Sequence, residues 1–381
     1  MDSQIHLPTE ILVNIVTFVA ADDTRNIYRQ RSLHACCLLS RQWYSAAISF
    51  LYEKPQISSG RSFKRFTDTV CPPVAARKSK YNLGGFVRRL DLSMLVHHSS
   101  NSLTARLLGR IKKNLEYFVA PSASFASNSL PALSKCHNLK HLDLFLVGDA
   151  IPFAQLKKTL QHLTKLTTLR LPRSTALTVQ DTTSIDWPPN LKRLQLSGSF
   201  EPSAISSFAW PPNLTNLALR SCRDLSVNAL GSLASSPQLS ARLKCLTISN
   251  TNRNLQPESI NAIPAFLPGL SFLSVPGDLV EETFFDILIY MTPPLALEIL
   301  ELGYPYEYNT RLSFSTISVV EALKGGLANL RALGFAEVFC TEQRILEDEE
   351  IDDILQKRAD KEDPAKSNDE LDDINYGVYY L

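Results

Sequence analysis

Apolar residues recur along most of the chain in a six-residue signature, L-x-x-L-x-L. Two near-duplicates show it most clearly, Trp187-Pro-Pro-Asn-Leu-Lys-Arg-Leu-Gln-Leu196 and Trp210-Pro-Pro-Asn-Leu-Thr-Asn-Leu-Ala-Leu219. The same spacing returns at Leu139/Leu142/Leu144, Leu166/Leu169/Leu171, Leu243/Leu246/Ile248, Leu270/Leu273/Val275, Leu297/Leu300/Leu302 and Leu330/Leu333/Phe335. Degenerate copies stand at Val87/Leu90/Leu92 and Leu115/Phe118/Ala120. The last two apolar positions of each copy are two residues apart, which puts both on one face of a short strand. Between the copies, over Leu103–Ile111, Phe153–Leu163, Leu225–Leu233, Phe284–Met291 and Ile317–Leu323, apolar residues recur three and four apart, which predicts helices. Pro188, Pro189, Pro211, Pro212, Pro293 and Pro294 fall in the predicted turns, where no backbone donor is required.

First positions run from Val87 to Leu330, 243 residues over nine intervals, so the mean period is 27. That lies within the ~20–29 residues of leucine-rich repeats. The expectation is an α/β fold, a leucine-rich-repeat solenoid of about ten repeats over 87–340 with parallel strands on its concave face. Each strand cannot bury its apolar face alone, so neighbours must stack. The residues flanking the strand leucines should line the concave face: Arg89 and Asp91, Tyr117, His141 and Asp143, Arg170, Arg193, Asn216 and Arg220 among them. Arg89, His141, Arg170, Arg193 and Arg220 are the candidate substrate contacts. Arg170, Arg193 and Arg220 come from successive repeats, so they either form a basic stripe for carboxylates or phosphates or belong to an ordinary solvated face. The asparagine or cysteine that many such repeats place three residues after the strand is mostly missing, although Cys222 fits.

Residues 5–52 lack the repeat and show three short helical segments. In the first, Ile11 and Ile15, then Leu12, Val16 and Val19, form apolar rows, and Pro8 suits a first helical turn. A polar stretch, Asp22–Gln30, precedes a second segment over Leu33–Leu39. Ser40 then suits the N-cap of a third helix carrying Trp43, Ala47 and Leu51. Leu7-Pro8-x-Glu10-Ile11-Leu12-x-x-Ile15, followed by Cys37-x-Leu39-Ser40-Arg41-x-Trp43 and a closing Leu51-Tyr52, resembles the F-box motif. It departs from that pattern in a longer first connection and in Leu39, where valine is common. The solenoid likewise resembles that of F-box proteins with leucine-rich repeats, and the Leu-Tyr-Glu-Lys-Pro exit resembles fungal members. The resemblance implies that this module docks a Skp-type adaptor, which joins it to a cullin–RING ubiquitin ligase. Its docking residues would come from Leu7, Pro8, Ile11, Leu12, Ile15, Leu39, Trp43 and Leu51. So small a module cannot bury all of these internally.

Residues 53–86 read either as a linker or as a degenerate capping repeat, with Gln56-Ile57 as a possible edge strand. Phe63, Phe66 and Val70 have helical spacing, and a basic loop contains Arg77, Lys78 and Lys80.

Charge alters this outline at one end. The net charge of +1 conceals 34 basic and 24 acidic side chains in residues 1–340, against five and fourteen in residues 341–381. That acidic segment is expected to be a partly disordered tail. Glu347–Leu355 is a possible helix within it, and Tyr376, Tyr379, Tyr380 and Leu381 are possible docking groups that could fold back over the basic face and compete with substrate. The seven cysteines are scattered without a C-x-x-C pair, which suggests buried reduced thiols rather than a disulfide framework or zinc site. No secretory or membrane-spanning pattern is visible, so a cytoplasmic or nuclear chain is expected.

Nucleotide-binding, hydrolase and metalloprotease signatures are missing, and basic residues are not interleaved with aromatics in a nucleic-acid-binding motif. His137 and His141 are four apart but straddle the start of a predicted strand, so no metal is expected. No catalytic residue, no cofactor, no nucleic-acid partner and no membrane partner is assigned. The sequon at Asn213 falls within the duplicated Pro-Pro-Asn-Leu unit, whose other copy has Lys192 where Thr215 stands, so chance explains it. The function this supports is the substrate-recognition subunit of an SCF-type ubiquitin ligase, with the chemistry residing in other subunits. The alternative is a non-catalytic interaction protein bound to the adaptor without a cullin.

Overall fold

The structure is a computed structural model that describes residues 7–21, 26–72, 82–95, 101–178, 186–307, 311–339, 348–359 and 376–381. It is a mixed α/β protein in which helices alternate with short parallel strands. Contacts divide it into two units, Met1–Ser174 with Asp186–Asn190, and Thr175–Ile185 with Leu191–Leu381.

The first unit begins with three helices, α1 (Thr9–Ala21), α2 (Asn26–Leu39) and α3 (Arg41–Glu53). Leu12 and Val16 of α1, Leu33 and Cys37 of α2 and Ala46, Ala47 and Ile48 of α3 form their shared core. Ser40 caps α3 as its sequence position predicts, its hydroxyl accepting from the Trp43 amide. The second helix starts seven residues earlier than its apolar spacing indicates, and one polar residue of its early turns, Arg29, is buried. Arg29 is 6% exposed, and its Nε donates to the Ala20 carbonyl at 2.7 Å, placing a cation on the carbonyl end of α1. Gln30 accepts the Gln56 amide at 2.8 Å. That amide is committed to a side chain, and no strand forms at Gln56–Ile57. A fourth helix, α4 (Gly60–Val70), follows, with Ser59 and Ser62 in a reciprocal capping box. Arg77, Lys78 and Lys80 lie outside the described residues.

Four strands complete this unit: β1 (Arg89–Asp91), β2 (Tyr117–Val119), β3 (His141–Asp143) and β4 (Thr168–Arg170). They pair in parallel in chain order, and each lies on an L-x-x-L-x-L copy. Leu90, Phe118, Leu142 and Leu169 are fully buried and align in register. Successive layers share a fixed hydrogen-bond scheme. The carbonyl of Arg88 receives both the Glu116 and Tyr117 amides, and that of Glu116 both the Lys140 and His141 amides. The asparagine preceding the first leucine adds a side-chain rung. Asn114 donates to the Gly85 carbonyl, Asn138 to that of Lys113 at 2.8 Å and Asn190 to that of Thr164 at 2.9 Å.

The second unit carries β5 (Ala176–Leu177), β6 (Arg193–Phe200), β7 (Asn216–Cys222), β8 (Cys245–Ile248), β9 (Phe272–Pro276), β10 (Ile299–Gly303), β11 (Ala332–Phe335) and β12 (Gly377–Tyr380). β6 to β12 pair in parallel in chain order, and β5 pairs with β6. Asn252, four residues past β8, is 3% exposed. Its amide donates to the Leu219 and Ser249 carbonyls at 2.9 and 2.7 Å, and its oxygen accepts the Cys222 amide at 2.9 Å. It thus satisfies the backbone where the strands end, one residue beyond the place where such repeats commonly carry asparagine or cysteine.

The acidic segment contains the helix its sequence suggested, shifted toward the C-terminus, and adds a strand that its sequence did not indicate. Glu349–Ala359 is a helix that buries Ile351 and Leu355, and Gly377–Tyr380 is the outermost strand beside β11. Arg358 anchors the helix by donating to the carbonyls of Leu323, Leu327 and Leu330, at a helix end and the turn that follows it. Residues 360–375 lie outside the described residues.

Candidate docking site

Helical spacing separates α1 into two faces. Leu12 (1% exposed) and Val16 enter the core, whereas Ile11 (44%), Ile15 (37%) and Phe18 (80%) form an outward row at i, i+4 and i+7. At the end of α2, Leu38 and Leu39 are 73% and 65% exposed. Side chains of this size normally supply burial, so several outward-facing ones on one small helical module make this face a candidate interaction surface. Gln42 holds the start of α1 in place by donating to the Leu7 carbonyl at 2.9 Å.

The expected docking residues therefore divide. Pro8, Ile11, Ile15 and Leu39 are exposed. Leu7, Trp43 and Leu51 are half-buried and pack against the helical core, so each has a remaining outward edge. Leu12 is a correction: its position on the inward row of α1 leaves no surface for a partner. Phe18 and Leu38 were missed by the motif comparison, although Phe18 lies one turn beyond Ile15 and extending the row would have reached it.

The strand face opposite the leucines carries two side-chain rows in the first unit. One row runs Arg89, Tyr117, His141 and Thr168 in register. The Arg89 guanidinium lies 4.0 Å from the Tyr117 ring centre, and the Tyr117 and His141 rings stack at 4.1 Å and 6°. The second row runs Asp91, Val119, Asp143 and Arg170. Arg170 donates to Asp143 at 3.0 Å, and Arg89 reaches Asp91 at 3.8 Å. In the second unit, Arg193 is in register with Asn216, so Arg220 lies four residues farther along β7, roughly 13 Å at strand rise. The expected basic stripe is accordingly corrected. Arg89 and Arg170 have carboxylate partners, and Arg193 and Arg220 do not share a row.

The expected tyrosine docking is local to β12. Tyr379 reaches across Gly334 of β11, and its hydroxyl donates to Glu301 of β10 at 2.9 Å. A Cβ on Gly334 would lie 2.7 Å from the Tyr379 ring, so this crossing needs glycine. Burial and the Glu301 carboxylate hold the Tyr379 hydroxyl protonated well above the usual phenol range. Burial likewise pushes the Cys136 and Cys222 thiols up to about 12, which keeps both unreactive. Among the described residues, no group of three or more histidine, cysteine, aspartate or glutamate side chains is placed to hold a metal. No helix of the described residues is long and apolar enough to cross a membrane.

No family model matches the chain. It is 32% identical over 249 residues to the F-box protein YDR306C of Saccharomyces cerevisiae, covering 65% of this chain and 50% of that protein. It is 24% identical over 248 residues to Protein pof5 of Schizosaccharomyces pombe, covering 65% of this chain and 68% of that protein. The chain thus spans half the length of the first relative. The crystal structure of the yeast Rad7 and Elc1 complex superposes with a TM-score of 0.48 at 14% identity, over 87% of this chain and 84% of that one. A superposition that loose carries no argument. The relatives do, and the resemblance to F-box proteins read from the motifs at residues 7–52 stands.

Proposed function

We propose that the chain is the substrate-recognition subunit of an SCF-type ubiquitin ligase and catalyses nothing itself. In this reading α1–α3 are an F-box that docks a Skp-type adaptor, and the strand-and-helix layers are leucine-rich repeats that bind a protein substrate. The observation that carries it is the outward apolar row of Ile11, Ile15 and Phe18, with Leu38 and Leu39 exposed on α2, on the helices that carry the F-box motif. The likeness to an F-box protein at 32% identity supports it independently. The unit's contribution to ubiquitin transfer is then positional: it holds a bound substrate near catalytic groups on other subunits.

Adaptor docking engages Pro8, Ile11, Ile15, Phe18, Leu38 and Leu39, with Leu7, Trp43 and Leu51 supporting them from half-buried positions. Co-purification of the tagged chain from cells, followed by identification of bound subunits, is the test. Adaptor together with cullin supports the ligase reading. Adaptor alone favours the interaction-protein alternative, and neither subunit refutes both. Substrate meets the strand face, where the alternating rows of Arg89, Tyr117 and His141 and of Asp91, Asp143 and Arg170 suit a ligand of mixed charge with a planar group. The cytoplasm or nucleus, where such ligases work, is the compartment proposed.

A further inference from the structure

A groove of about 600 Å³ opens in the first unit between α2, α4 and the segment that joins α3 to α4. Its floor is apolar: the Tyr52 and Phe66 rings stack at 6.1 Å and 26°, with Pro55 and Ile57 buried beside them. Its walls are basic. Arg31 and His34 rise from α2, and Arg61 and Arg65 from α4, where their four-residue spacing puts both on one side of the helix. No carboxylate lines the groove, and among the described residues no ion pair engages the three arginines. All three are exposed.

This combination selects its occupant. An inorganic anion would satisfy the arginines but leave the aromatic floor unused. A purely apolar ligand would leave like charges facing one another across the opening. A volume of this size lies within the ~300–1,000 Å³ typical of binding clefts, enough for a few residues of an extended chain. Guanidinium forks take carboxylates two-pronged, which favours acidic side chains spaced along a peptide.

We propose that this groove recognises an acidic peptide segment of a protein partner. Arg31 holds its acidic groups on one wall, Arg61 and Arg65 hold them on the other, and an apolar side chain between them sits on the Tyr52–Phe66 floor. The inference is independent of adaptor docking. The two surfaces do adjoin along α2, because Arg31, His34 and Leu38 fall at i, i+3 and i+7 on one helix face.

The test uses the full-length chain and fluorescence anisotropy with a fluorescein-labelled peptide, Asp-Glu-Phe-Asp-Glu, and its neutral counterpart, Asn-Gln-Phe-Asn-Gln. The acidic probe is expected to bind at low salt, with affinity falling as salt rises. The neutral probe, and the acidic probe on Arg61→Glu/Arg65→Glu or Arg31→Glu, are expected to bind at least ~10-fold more weakly, as charge reversal at a complementary site dictates. These side chains are exposed, so the variants should keep the wild-type circular dichroism, which is checked alongside. Equal binding by the reversed variants, equal binding of the neutral probe, or no binding of the acidic probe overturns the proposal. So does binding to phosphatidylserine vesicles with the peptide ignored. Adaptor capture by the same variants is measured separately: its retention with the peptide lost separates the groove from the docking surface, and its loss with the peptide still bound overturns the groove alone.

Discussion

At the scale of single residues, buried polar groups decide where the backbone stops being strand. Asn252 is the clearest case, serving one amide and two carbonyls at 2.7–2.9 Å without access to water. Asn252→Ala removes these three bonds and leaves the Cys222 amide without its acceptor, while the Leu219 and Ser249 carbonyls keep their backbone donors; the expected loss is about 2 kcal/mol by urea unfolding. Thiols illustrate the opposite effect of burial. Cys136 and Cys222, with thiols raised to about 12, should resist iodoacetamide at pH 8 in the folded protein and react fully in denaturant. Labelling of either in the native chain at the rate of a free thiol would contradict their placement. Gly334 acts by absence: with alanine there, the Tyr379 ring must swing away and its bond to Glu301 is lost. Faster amide exchange over Gly377–Tyr380 in Gly334→Ala, with β8 and β9 unchanged, is the expected signature.

At the scale of elements, helical phase divides α1 into a buried and an exposed apolar row. Leu12 and Phe18 are six residues apart, but one is buried and the other is 80% exposed. Leu12→Ala should destabilise the first unit by about 2–5 kcal/mol, the usual range for a truncated core leucine. Phe18→Ser should leave thermal unfolding within about 0.5 kcal/mol of wild type. The same change should weaken adaptor capture by at least ~30-fold, as truncating an interface anchor does. If the two substitutions exchange effects, the assigned phase of α1 is wrong. The second helix shows where pattern reading failed. Its first turns look polar and unhelical in sequence, yet Arg29 is buried because the end of α1 supplies carbonyls for it to cap. Such a partner comes from a different element, so local periodicity carries no trace of it.

At the scale of the whole molecule, the uneven charge takes on structural meaning. The acidic segment 341–381 contributes a helix and an edge strand to the second unit. Its aromatic end lies on β10 and β11 through Tyr379, so β12 covers the pairing edge of β11. Bare strand edges invite pairing with other chains. Deletion of residues 376–381 should therefore lower the unfolding midpoint and promote self-association, detected by sedimentation velocity. A monomer of unchanged stability would show that β12 protects nothing.

The L-x-x-L-x-L spacing by itself determined where the strands lie, since each named copy carries one and the helices fall between them. It did so because a two-residue repeat of leucine has only one way to be buried in a parallel layer. The helical rows of α1 and α3 were equally legible, as was the Ser40 cap, because both depend on contacts within a few residues. Tertiary structure alone decided which apolar row of α1 was core and which outward. It alone paired Arg170 with Asp143, recruited the acidic segment as a strand and enclosed an aromatic floor between arginine walls. Each of these joins residues distant in the chain, and charge type without position cannot say whether an arginine meets a carboxylate of its own fold or waits for that of a partner.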